Sequence, residues 1–157
     1  MTGLLTRLPL LFLLLWLAPA YPRELYSYAR VNDDGSLLIS GRVVHLYGIY
    51  LPESGNTCET LLRPVECGQR GVLALKFKIQ GFVRCEEVSV NQDRSVNAIC
   101  RVGSSRSSSG EDLAAYLLRQ GWAIALPDAP IEYRFHEKLA RRQGAGIWGI
   151  PVDRIDR

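Results

Sequence analysis

Between Glu24 and Tyr50 short apolar runs alternate with tight polar breaks: "ELYSYARVN", a break at Asp33-Asp34-Gly35, "SLLIS", a break at Gly41, and "RVVHLYGIY". Runs this short between turn formers predict three strands in a meander. The chain turns polar after Pro52, and Pro64 marks the approach to a new element. From Gln69 to Gln80 the residues Val72, Leu73, Ala74, Leu75, Phe77 and Ile79 predict a helix of about three turns, weakened at its start by Gly71 and ended by Gly81. Two β-rich runs, "FVRCEEVSV" and "SVNAICRV", flank Asn91-Gln92-Asp93-Arg94 and predict a hairpin. Gly103 to Gly110, "GSSRSSSG", has the composition of a flexible surface loop. Glu111 to Gln120 predicts an amphipathic helix with Leu113, Ala114, Tyr116 and Leu117 inward and Gly121 as its stop. A breaker at Pro127 to Pro130 precedes a last helix over Ile131 to Gln143, carrying Tyr133, Phe135, Glu137, Leu139 and Ala140. Gly144 and Gly146 end it, and Ile147-Trp148 folds back onto the core. No internal repeat stands out. The order βββ-α-ββ-α-α predicts an α+β, barrel-dominated fold: a five-stranded Greek-key barrel of the OB type with three helices.

The first 20 residues follow a different pattern. Arg7 precedes the apolar run Leu8 to Leu17, and Ala18-Pro19-Ala20 supplies small residues at the spacing a signal peptidase reads. This ten-residue run, Pro9 included, falls short of the roughly 20 apolar residues that span a bilayer, and no Cys directly follows it to carry a lipid. We therefore expect residues 1–20 to be a cleaved signal peptide and 21–157 to be one exported domain, periplasmic or extracellular, with no transmembrane segment. Cleavage takes Arg7 from a formal charge of +3, leaving a weakly basic chain. With 47% hydrophobic and 22% charged residues the chain is globular by composition, which excludes collagen-like, low-complexity and wholly disordered classes. Its charge permits nucleic acid or another polyanion as partner without requiring one.

Export changes the reading of the cysteines. Cys58, Cys67, Cys85 and Cys100 form no CxxC pair, and an even number in an oxidising compartment points to disulfides rather than a metal site. Centring the hairpin turn between Gln92 and Asp93 sets Val90 opposite Ser95 and hence Cys85 opposite Cys100. The same face carries Val83, Val96, Ala98 and Val102. Cys58 with Cys67 follows by elimination.

Several segments, in order, resemble the thermonuclease or staphylococcal-nuclease-like family: "LYGI..PE" at Leu46 to Glu53, "CG..G..AL" at Cys67 to Leu75, "DL...LL..GWA" at Asp112 to Ala123, and "E..AR....GIW" at Glu137 to Trp148. The resemblance spans Tyr28 to Gly149 and implies the same barrel. It also implies where a calcium-dependent phosphodiesterase site would lie. Its two calcium-binding aspartates fall on Ser36 and Tyr50, which lack anionic oxygens; Asp33 and Asp34 stand nearby as turn formers or substitutes. Its two phosphate-gripping arginines fall on His45 and Ser95, with Arg94 one position earlier. Glu53 alone matches, at the position of a carboxylate near the attacking water; the alternative for it is a loop carboxylate. His45 is a cation only at acidic pH, and otherwise an outward strand residue.

Other candidates are Lys76, Lys78, Arg84, Arg141 and Arg142 as a basic surface or as solvated cations, and Tyr26, Tyr28, Tyr47, Trp122 and Trp148 as stacking or packing aromatics. His45 and His136 show no metal-ligand spacing, and no G-x-S-x-G, P-loop or HExxH is present. The sequence therefore leads us to expect an exported nuclease-like OB-fold protein whose hydrolytic site is degenerate, without cofactor, acting as a binding or structural module. One alternative is an active secreted nuclease with Glu53 as base, His45 and Arg94 on phosphate, and calcium. A second is an exported binder or enzyme for a ligand other than nucleic acid.

Overall fold

Residues 23–52, 59–60, 67–105, 107–149 and 152–154 are described by the computed structural model. Strand β1 (Glu24–Val31) turns into β2 (Leu37–Ile39) and then β3 (Arg42–Leu46), the expected meander. After helix α1 (Cys67–Lys78) comes the hairpin of β4 (Phe82–Val90) and β5 (Val96–Val102). β1 pairs antiparallel with both β2 and β4, and β3 closes the barrel by running parallel to β5, with Val44 opposite Val96 and Leu46 opposite Ala98. Helices α2 (Leu113–Gln120) and α3 (Ile131–Gln143) complete the α+β, OB-like barrel. A short pair, Ile49–Tyr50 with Ile124–Ala125, links the exit of β3 to the segment between α2 and α3.

Alternation places Leu37, Ile39, Val44, Val83, Cys85, Ala98 and Cys100 inside the barrel. Leu113, Leu117 and Leu118 of α2 and Leu75 of α1 are fully buried in the same cluster. Cys85 and Cys100 face each other across the hairpin and are disulfide-bonded. The expected pairing of Val90 with Ser95 is corrected: Val90 pairs with Val96, because a bulge between Glu87 and Ser89 shifts the register by one residue near the turn.

Helix α1 begins two residues before the expected Gln69 and ends at Lys78. Gly71 sits within it for a packing reason: a Cβ there would stand 2.6 Å from Cδ1 of Leu51 and 3.4 Å from the Trp122 carbonyl oxygen. Helix α2 starts at Leu113 rather than Glu111, because Asp112 is extended and caps it. Ala115 and Leu118 join its buried face, and Tyr116 is only half buried. Helix α3 has the expected bounds, but only Tyr133, Glu137 and Ala140 face inward; Phe135 and Leu139 face solvent. Within the serine-rich loop the backbone folds back between Ser105 and Ser108. No helix among the described residues is long and apolar enough to cross a membrane. The signal peptide, Glu53 and the Cys58–Cys67 pairing lie outside the described residues.

Candidate functional site

The two hairpins that flank β3 are closed by the same turn, and this short repeat was not recognised in the sequence. "NDDGS" joins β1 to β2 and "NQDRS" joins β4 to β5. In the first, Asn32 Nδ2 donates to Ser36 Oγ (2.9 Å), while the Ser36 hydroxyl and amide both donate to Asp34 Oδ1 (2.7 and 2.9 Å). In the second, Asn91 Nδ2 donates to Ser95 Oγ (2.9 Å), and the Ser95 hydroxyl and amide donate to Asp93 Oδ1 (2.7 and 2.9 Å). The fourth position of each turn is left-handed, filled by Gly35 (φ 80°) and by Arg94 (φ 68°). An arginine there carries a backbone cost that glycine escapes. Both serines are buried.

These bonds set the local electrostatics. Burial pushes the Asp34 carboxyl up, but the Ser36 hydroxyl and amide, with the His45 imidazole nearby, more than reverse this and hold it below the usual carboxylate range. Asp93 is likewise held low, first by its bonds to the Ser95 hydroxyl and amide and more weakly by His45.

Ser36, His45 and Tyr50 come together, with Asp34 and Leu51, around a cavity of about 170 Å³. Ser95 and Arg94 line a different groove of about 700 Å³, with Arg23, Arg42 and Asp93. Of the catalytic candidates Glu53, His45 and Arg94, the last two therefore open onto separate concavities. A hydroxyl already bonded to an aspartate in a closed turn has little left to offer an ion or a phosphate. Among the described residues no three His, Cys, Asp or Glu side chains stand close enough to share a metal ion.

Two carboxylates away from these turns, Asp112 and Glu137, act as braces. Asp112 accepts the Ala115 amide (3.1 Å) and the Tyr133 hydroxyl (2.7 Å), fastening α2 to α3. Burial, reinforced by Asp112, pushes the Tyr133 phenol far above its ordinary range. Glu137 accepts the Ala125 amide (3.1 Å) and pairs with Arg141, whose guanidinium lies 3.9 Å from the Trp148 ring centre.

The candidate basic surface is largely neutralised. Lys76 pairs with Asp33, Lys78 with Glu111, Arg84 with Glu24 and Arg141 with Glu137, and of the five cations only Arg142 lacks a carboxylate within 4.0 Å among the described residues. Of the aromatics, Trp122 and Trp148 pack against the core and Tyr47 bonds to the Asp128 carbonyl (3.2 Å). Tyr26 and Tyr28 are exposed, and Phe82, which the sequence did not mark, joins them. The Phe82 ring lies 4.2 Å from Tyr28 and 5.1 Å from Tyr26, and Arg84 stands 5.4 Å from the Tyr26 ring centre. The alternation of Tyr26 and Tyr28 on one strand, facing the first residue of β4, was the available signal. This group borders an open groove of about 930 Å³ that extends past Lys78 and Arg119 to Gly110. No protein-family model matches the chain, and no curated protein matches it.

Proposed function

We propose that the chain is an exported, nuclease-like OB-fold module that binds single-stranded nucleic acid and does not hydrolyse it with calcium. One observation carries the loss of hydrolysis: the positions that the resemblance assigns to a calcium ligand and a phosphate clamp are buried serines, each already bonded to the aspartate two residues before it. Tyr50 and His45 supply no anion or permanent cation in their place. The ligand class is supported by Tyr26, Tyr28 and Phe82, whose exposed rings offer stacking surfaces to unpaired bases, with Arg84 beside them.

The exported protein is expected to leave DNA and RNA zymograms uncleared with or without calcium, and to bind a labelled single-stranded oligonucleotide in fluorescence anisotropy. Tyr28→Ala and Phe82→Ala are each expected to weaken that binding about tenfold, the loss of one base's stacking. A calcium-dependent clearing zone abolished by Glu53→Gln would establish the active nuclease instead. Oligonucleotide binding indifferent to both aromatic substitutions would remove the platform from the account.

A further inference from the structure

Helix α3 has a second apolar stripe, on the side away from the barrel. Ile131, Phe135 and Leu139, spaced four residues apart, are 80%, 66% and 39% exposed. The core-facing residues Tyr133, Glu137 and Ala140 occupy the opposite side. Side chains of this size at i, i+4 and i+8 form one continuous ridge, and nothing among the described residues covers it.

Beside the ridge runs a row of cations with the same spacing: Arg134, Lys138 and Arg142. None has a carboxylate within 4.0 Å among the described residues, whereas Lys76, Lys78, Arg84, Arg101 and Arg119 each have one. Arg134 is steadied by the Pro127 carbonyl (2.7 Å), a neutral partner that leaves its charge uncompensated. Glu132 is the only acidic residue on the exposed side of the helix.

We infer that α3 is a docking face for an anionic phospholipid surface, with Ile131, Phe135 and Leu139 entering the boundary between headgroups and acyl chains while Arg134, Lys138 and Arg142 lie against the headgroups. The chemistry separates this occupant from its competitors. A second copy meeting the stripe with its helix antiparallel across a two-fold axis would set one cationic row against the other, which opposes association. Nucleic acid would satisfy the cations but leave Ile131 and Leu139 without a partner, since aliphatic chains offer no stacking surface. An anionic leaflet satisfies both rows at once. The inference is independent of the nucleic-acid reading, because Tyr26, Tyr28 and Phe82 belong to β1 and β4.

The test is co-sedimentation of the exported protein with vesicles of phosphatidylcholine and phosphatidylglycerol, and with vesicles of phosphatidylcholine alone. The protein is expected to partition onto the mixed vesicles, weakly onto the neutral ones, and less as salt is raised. Arg134→Gln, Lys138→Gln and Arg142→Gln together should lower partitioning about 100-fold, at the affinity each basic residue gains near an anionic surface. Phe135→Ser with Leu139→Ser should abolish it, and because both side chains face solvent the melting temperature should hold. Failure of the folded wild type to bind mixed vesicles overturns the inference, as does binding that survives both variants. A concentration-dependent dimer dissolved by Phe135→Ser with Leu139→Ser would assign the ridge to a second copy and overturn it equally.

Discussion

Ser36→Asp is expected to destabilise the fold by about 3 kcal/mol at neutral pH, the scale of an uncompensated buried charge. The new carboxylate would stand at a 2% exposed position, within hydrogen-bond reach of the Asp34 oxygen that the serine now serves. Ser36→Ala, which only removes the hydroxyl and its two bonds, should cost about 1 kcal/mol. The difference between the two variants in urea unfolding isolates the charge. If the aspartate variant is no worse than the alanine variant, or is rescued by millimolar calcium, position 36 is a vacant ion ligand and the binding-only reading falls. The same turns set an acid limit for the wild type. Asp34 and Asp93 have folded pKa values lowered below the unfolded carboxylate value, so their stabilisation is present above about pH 4 and is lost as the pH falls through the folded values.

Replacing Cys85 and Cys100 together by alanine is expected to cost about 3 kcal/mol, or roughly 10 °C in melting temperature for a chain of this size. The bridge closes a short loop at a sequence separation of 15, and both cysteines are buried in the barrel core. Peptide mapping under non-reducing conditions should recover Cys85 joined to Cys100. Recovery of Cys85 joined to Cys58 or Cys67 would contradict the strand register. A loss of less than 1 kcal/mol in the double variant would mean that the reduced chain already holds the hairpin closed.

How far the sequence could be read depended on whether backbone or side chains carried the information. Cys85 and Cys100 do face each other as the pairing arithmetic has them, but its starting pair, Val90 with Ser95, is off by one residue, and the bulge between Glu87 and Ser89 cancels that offset before the cysteines are reached. The bulge beside Val88 escaped because an extra residue in a strand leaves no compositional mark. On α3 two apolar stripes fit a 3.6-residue period, Tyr133 with Ala140 and Phe135 with Leu139. Only the packing partner decides between them, here the Asp112 carboxylate waiting for the Tyr133 hydroxyl. The site was partly legible: Ser36, His45 and Tyr50 do share one cavity, but Arg94 opens onto another groove. The repeated turn was visible as letters. Its meaning was not, because Asn, Asp and Ser are common in turns of every kind, and only the matched bonds distinguish this one.

The parallel pairing of β3 with β5 also orders events in time. Val44 and Val96 are roughly fifty residues apart in the chain, so joining them costs more loop-closure entropy than either adjacent hairpin, whose strands meet across a five-residue turn. The hairpins can therefore form early and the seam between them late. Until it forms, β3 and β5 each present an unpaired edge, the arrangement most prone to pairing with another chain. Oxidation of Cys85 and Cys100 involves only β4 and β5 and can precede closure, so the bridge would hold one margin of the seam in register while the rest of the barrel assembles around it.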